Sequence, residues 1–378
     1  YIMIAFTAIF AVVSLTGGMG MSSQFLLERI GYFIIFAVSL SLVVGFLGEL
    51  SLGHAGFICI GAYFGTLFRN TIAKGLTTSA PLLSLILAMI FGGIIAAIFG
   101  FIIGLPALRL KGDYLAIVTL AFGEIVKTVL RNFDVFGGPL GMSNRRYDQK
   151  SLFVIIFVVA ILSIAIINNL IKSKHGRAVT AIRDNEIAAR AMGVKVNYYK
   201  IMVFVLSAFL AGVGGVLYSA SSTRIVSITF DYNYSINILV MVVLGGMGSI
   251  NGSIIAATFI TFLNVKLQVV LTGNLAALKN LIYALVLIVI VIYTNAPSLK
   301  GFREKYNLRK LWDRIYAFLH RIFRSKKELA DPAVEKADAG DWSKIPTKVE
   351  MDAILSTDFT PDNSYVPDKP DAPKGGKE

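Results

Sequence analysis

Residues 81–105 read PLLSLILAMIFGGIIAAIFGFIIGL, an unbroken apolar run with no ionisable side chain and a proline at its head. A bilayer core about 30 Å thick takes about 20 such residues as a helix, so this stretch spans a membrane. Residues 151–171, SLFVIIFVVAILSIAIINNLI, and 276–296 read the same way. Around them lie shorter or more polar segments at 1–17, 31–48, 52–72, 113–130, 201–222, 230–248 and 250–272, which makes ten in all. The expectation is an all-α polytopic membrane protein with about ten transmembrane or partly re-entrant helices. Segment 1–17 lacks the basic head and small-residue cleavage site of a signal peptide and reads as a span. The chain opens at Tyr1, not at an initiator Met, so further N-terminal sequence is expected.

Composition agrees. Of 378 residues, 56% are hydrophobic and 16% charged, with a mean hydropathy of +0.71. Soluble domains carry about a quarter charged residues, so disorder throughout and an ordinary soluble enzyme are both excluded. The single cysteine, Cys59, lies in an apolar stretch. It reads as a small buried hydrophobe and permits neither a disulfide framework nor a cysteine metal site.

A net charge of +13 suggests nucleic acid until it is divided by region. Residues 300–327 hold 10 basic and 2 acidic side chains, whereas residues 328–378 hold 6 basic and 12 acidic. The positive excess thus sits in short loops and directly after the last apolar segment, where cytoplasmic loops of membrane proteins carry Lys and Arg. No basic face with stacking aromatics accompanies it, and nucleic acid is not expected as a partner. Residues 1–299 form the membrane domain. Residues 300–327 space Leu308, Leu311, Ile315, Phe318, Leu319, Ile322 and Phe323 at near-helical intervals among basic side chains. They read as a cytoplasmic amphipathic helix lying on anionic membrane lipid. Residues 328–378 hold six of the ten prolines and no apolar periodicity, and are expected to be disordered.

Loop 172–200 carries Lys172, Lys174, Arg177, Arg183, Arg190, Lys195 and Lys200 against Asp184 and Glu186. The positive-inside bias places it in the cytoplasm, and counting spans outward places both termini there too. Loop 131–150, with four basic and two acidic residues, then falls outside and runs against the rule.

Glycines such as Gly92-Gly93, Gly212 to Gly215 and Gly245 to Gly248 sit inside apolar segments, where they let helices approach closely or break. Pro106 is expected to end the helix of 80–105. His54, Asp113, Glu124, Lys127 and Lys266 are the ionisable residues expected at membrane depth, where such groups face protein or a wet cavity. Glu124 and Lys127 are three apart and can pair on a helix. Asp113 stands where a cap would. His54 lies between Gly53 and Gly56, where a discontinuous helix would expose backbone groups of the kind transporters use. Gly53, His54, Gly56, Asp113, Thr119 and Glu124 are therefore the candidates for a translocation path, against the plainer reading of helix packing. No phosphate loop of the Gly-x-x-x-x-Gly-Lys-Ser/Thr type occurs, and His54, His175 and His320 are too scattered for a metal site.

Several runs together resemble the LivM-type membrane subunits of ABC importers for branched-chain amino acids. They are LSLGHAGF at 50–57 with GAY at 61–63, LRLKGDYLAIVTL at 108–120, FGEI at 122–125, and GGP at 137–139. HGR at 175–177, AIRDNEIAARAMG at 181–193 and LGGMGS at 244–249 complete the set. Residues 186–193 are similar to the short ATPase-docking helix of such importers. Ile187 intrudes before the two alanines and the later Leu-Pro is missing, a deviation the branched-chain family shares. The resemblance implies that Arg183, Asp184, Glu186, Ala188, Ala189, Arg190 and Gly193 couple this chain to an ATPase. It implies a non-catalytic permease subunit of the bacterial plasma (inner) membrane, carrying no cofactor of its own, with ATP and Mg bound by partner subunits. The partners implied are a homologous second permease subunit in a heterodimer, two cytoplasmic ABC ATPases, and a periplasmic or extracellular substrate-binding protein. A permease for urea or short amides, and a stand-alone secondary transporter or channel, are the alternatives.

Overall fold

The computed structural model describes residues 20–270 except 74, 76–78, 111, 145, 146 and 148, together with Ala284, Leu285 and Ile288. The expected span 1–17, most of 276–296, the stretch 300–327 and the tail 328–378 lie outside the described residues.

Helix α1 (Met21–Ser41) runs directly into a π-helical turn, Leu42–Leu47, closed by Gly48 at a φ of 79°. It starts about ten residues before the apolar pattern does. Gln24 and Glu28, which look like a boundary in sequence, are buried at 5% and 1% exposure and lie inside the bundle. After a non-helical stretch come α2 (His54–Asn70), α3 (Pro81–Ala107) and α4 (Asp113–Asn132). Pro81 occupies the first turn of α3, where its missing amide needs no partner. Pro106 sits within the last turn, so the helix reaches Ala107 and ends just past the proline, not before it.

Two short 3-10 turns lead to β1 (Met142–Ser143), then α5 (Gln149–Lys172). Within loop 172–200 the chain forms two short helices, α6 (Lys174–Asp184) and α7 (Glu186–Ala191). Helix α8 (Val196–Ala220), β2 (Arg224–Ile225), α9 (Tyr232–Gly245) and α10 (Ile250–Val270) follow. The two strands pair antiparallel, Met142 opposite Ile225 and Ser143 opposite Arg224. Among the described residues, the regular structure is otherwise helical.

Among the described residues, five helices are long and apolar enough to cross a bilayer by themselves: Ser22–Leu47, Pro81–Ala107, Leu152–Lys172, Val196–Ala220 and Ile250–Val269. The other segments that fall within the described residues are a 17-residue helix (α2), a 14-residue one (α9) and the charged α4.

The sequence of α3 explains where it packs. Leu82, Ile86, Ile90, Ile94, Ile98 and Ile102, four residues apart, form an exposed apolar ridge. Gly92, Ala96, Gly100 and Gly104 repeat at the same interval on the buried side. That small-residue row lies against α8, which packs against α3, α2 and α1 at the centre of the described bundle. Contact there is backbone on backbone. A Cβ at Gly61 would collide with the Gly212 carbonyl, and one at Gly215 with the Ile58 carbonyl. Between lipid-solvated helices there is little hydrophobic drive, so close approach and dispersion must hold the crossing. Cys59 is fully buried on α2 in this core.

Gly61→Val is therefore expected to cost about 3 kcal/mol or more, because the obstacle is backbone and cannot swing away. Gly20→Ala, which meets nothing within 4 Å, is the control. Thermal unfolding in detergent should fall sharply for the first and stay unchanged for the second. Equal unfolding temperatures would contradict the crossing.

Candidate functional site

Two groups of residues stand out, at different levels of the bundle. The first is the basic end, where α6 and α7 hang. The Ser173 hydroxyl caps α6 by accepting from the amides of His175 (3.2 Å) and Gly176 (3.4 Å). Asn185 Oδ1 caps α7 by accepting from the Ala188 amide at 2.9 Å. Gly193, at a φ of 82°, closes it, with amides of Gly193 and Val194 donating to the carbonyls of Arg190 (3.0 Å) and Ala189 (3.1 Å).

A buried lysine fastens this short helix to the bundle. Lys200, in the first turns of α8, is 3% exposed. Its Nζ donates to Glu49 Oε1 at 2.5 Å and to Glu186 Oε2 at 3.2 Å. Glu49 directly follows the π-turn and Gly48, so one ammonium ties the end of α1, the start of α8 and α7 together. Glu186 also accepts from Arg190 at 2.9 Å. Arg183 binds Asp184 Oδ1 through Nε (3.0 Å) and Nη2 (2.9 Å), while its Nη1 donates to the Gly45 carbonyl at 3.3 Å. Thus Arg183, Asp184, Glu186 and Arg190, four of the residues expected to couple the chain to an ATPase, are paired within the chain.

Beside the exposed Arg190, what α7 presents outward is apolar. Ile187 and Met192 are 79% and 84% exposed, and Ala188 and Ala191 lie between them. Of the alanine pair read from sequence, only Ala188 reaches the surface. Ala189 is 5% exposed and packs into the core, because a helix turns successive side chains about 100° apart. Asp113, grouped by sequence with the path, belongs to this end. With Gly112, Glu49, Arg183, Glu186 and Lys200 it lines a cleft of about 290 Å³. It is the first residue of α4, following Gly112 at a φ of 58°, and makes no capping bond.

The second group lies deeper. Residues 48–53 leave the helix and dip into the bundle, with Ser51 and Gly53 buried, before α2 begins at His54. An unpaired amide would be expensive there, and side chains of other helices supply partners for two of them. Leu52 N donates to Thr119 Oγ1 at 3.1 Å, and Ala55 N to Ser235 Oγ of α9 at 3.0 Å. Thr119 in turn donates to the Ala116 carbonyl at 3.0 Å. Gly53 and Gly56 permit the crossing with α4. A Cβ on Gly53 would strike the Thr119 carbonyl, and one on Gly56 would come within 2.9 Å of the Gly123 Cα. His54 is 2% exposed and its Nε2 is 2.9 Å from Ser39 Oγ. Gly53, Gly56 and Thr119 thus come together, while His54 turns toward α1.

Glu124 lies further along α4, pairs with Lys127 as their spacing predicts, and accepts from the Tyr232 amide at 3.2 Å. Lys266 rests over the Phe262 ring at 5.7 Å. Sequence reasoning missed Glu49, Lys200 and Ser235. Glu49 and Lys200 fall at the edge of an apolar segment and Ser235 within one, and only the distance between segments, which a sequence does not carry, makes them a site.

The family model for the branched-chain amino acid transport system / permease component matches residues 23–291. The chain is 36% identical over 261 residues to the high-affinity branched-chain amino acid transport system permease protein LivM of Salmonella typhimurium, covering 60% of this chain and 59% of that protein. A probable LivM of Methanocaldococcus jannaschii is 27% identical over 256 residues, 59% of this chain and 74% of the relative. The ribose import permease protein RbsC of Escherichia coli is 27% identical over 294 residues, 75% and 79% respectively. The chain spans about three fifths of the length of the bacterial LivM proteins it matches, 59% in each case. No solved structure matches it. The five bilayer-length helices and this match over most of the chain agree, and the chain belongs to the family of multi-pass permease components of branched-chain amino acid transport systems.

Proposed function

We propose that the chain is the LivM-type permease subunit of an ATP-driven importer in the bacterial plasma (inner) membrane. It passes branched-chain amino acids delivered by an external binding protein and performs no chemistry itself. The observation that carries this reading is α7: a short helix capped at both ends, pinned by a buried ion pair, and showing Ile187, Ala188, Ala191 and Met192 outward. An apolar patch on a rigid mount suits a partner's groove. In this reading the groove belongs to one of two cytoplasmic ATPases, which hold ATP and Mg. Loop 172–200 and both termini are cytoplasmic, and a homologous second permease subunit completes the membrane unit.

The path follows α4. Asp113 stands at its ATPase end, Thr119 and Glu124 lie along it, and Gly53, His54 and Gly56 form the interrupted helix that fixes its position. Tyr114, Ile117 and Ile125, between 60% and 71% exposed, mark the face that lines the passage toward the second subunit. Such a surface holds an amino acid loosely enough to let it go.

Uptake by the assembled importer in proteoliposomes tests the reading. ATP-dependent entry of leucine, isoleucine or valine, with no ribose or urea entry, is expected. Uptake by this chain alone, driven by an ion gradient, would overturn it. A second expectation concerns docking: Ile187→Asp with Met192→Asp should insert normally yet lose about tenfold or more of its ATPase association on co-purification. Unchanged association would remove α7 from the contact. A third concerns its mount. Lys200→Met leaves two carboxylates facing each other and should destabilise the protein by about 3 kcal/mol. Adding Glu49→Gln should restore part of that loss, and thermal unfolding of the single and double variants reads the difference.

A further inference from the structure

At the end of the bundle away from α7 lies a cavity of about 480 Å³, bounded by the first turns of α1, by Ser221 just past α8, and by Val265 of α10. Lys200 and Ser221 are separated by the length of α8, about 30 Å at helical rise. On the charge reading of loop 172–200, the cavity therefore opens toward the external face.

Its walls have a specific chemistry. Arg29 contributes a guanidinium, Glu28 a carboxylate and Ser221 a hydroxyl, while Phe25, Leu26 and Val265 are apolar. Arg29 sits two turns into a membrane helix, where a fixed charge is expensive and usually serves function. Its guanidinium lies over the Phe33 ring at 6.0 Å and forms no ion pair among the described residues. Behind it, Arg29 also borders a cavity of about 70 Å³ shared with Thr261. That threonine is 1% exposed, and its hydroxyl has no hydrogen-bond partner among the described residues. The space suits a few waters that solvate the rear of the guanidinium, leaving its front for a ligand.

We propose that the larger cavity is an entry station for the transported solute, an α-amino acid with an aliphatic side chain. The carboxylate is received by Arg29, the ammonium by the Ser221 hydroxyl, and the side chain lies against Phe25, Leu26 and Val265. This rests on the amino-acid permease reading. A guanidinium pairs with a carboxylate in two parallel hydrogen bonds, which a neutral sugar or amide cannot reproduce. The volume falls within the range of small-molecule sites, and its open mouth fits brief occupancy.

The test uses the assembled importer in proteoliposomes with its loaded binding protein, comparing wild type with Arg29→Gln, Arg29→Lys and Val265→Trp. Arg29→Gln should lower leucine uptake about tenfold or more, with Arg29→Lys retaining a larger share. ATP hydrolysis stimulated by the binding protein should persist in all three, since α7 is untouched. Val265→Trp fills the apolar side and should lower uptake with Arg29 intact. Saturation-transfer NMR on the importer without binding protein should detect leucine but not leucinol, which lacks the carboxylate, and Arg29→Gln should abolish the leucine signal. Wild-type uptake in both Arg29→Gln and Val265→Trp overturns the station while leaving the permease reading in place. Lipid bound at Arg29 with uptake unchanged overturns it equally. Absence of amino-acid uptake by wild type overturns both.

Discussion

Backbone amides that leave a helix at membrane depth have to be satisfied inside the protein, because lipid offers them nothing. Residues 48–53 and the first turn of α2 face that requirement, and the answer sets the arrangement of the helices around them. Thr119 of α4 takes the Leu52 amide and Ser235 of α9 takes the Ala55 amide. Each unpaired amide would cost about 1–3 kcal/mol. Two side chains from helices far apart in sequence are thus committed to one interruption, which locks α2, α4 and α9 in register.

That register requires close approach, and glycine provides it. Thr119 reaches the dipping strand only because Gly53 has no side chain to hold α4 away. The same economy continues along α2 into the crossings of Gly61 with Gly212 and of Gly215 with Ile58. From this core α8 runs to Lys200, where a buried ammonium joined to Glu49 and Glu186 carries the mount of α7. The interrupted helix and α7 are connected through α8 and through the short chain between Glu49 and Gly53. Movement of one therefore acts on the other through packed backbone.

Much of this was legible from apolar spacing. Segments 80–105 and 151–171 fall on α3 and α5, because a long uncharged run has no other stable form in a bilayer. The Glu124–Lys127 pair followed from helical spacing alone. What escaped is where polarity was hidden rather than excluded. Gln24 and Glu28 concealed the first turns of α1 because buried polar residues look like a boundary. Ala189 looked equivalent to Ala188, yet one helical step turns it inward. Asp113 was set beside Thr119 by proximity in sequence, though about 9 Å of helical rise carries it to the α7 end.

Hydrogen exchange of the backbone, read by mass spectrometry in lipid nanodiscs, tests the satisfied interruption most directly. Peptides covering residues 50–56 should exchange as slowly as the middle of α2, although most of these residues are not helical. In Thr119→Val the same peptides should exchange about tenfold faster or more, consistent with one lost hydrogen bond, while α3 and α8 stay protected. Exchange of 50–56 within seconds in the unaltered protein, at the rate of a solvated loop, would contradict the account.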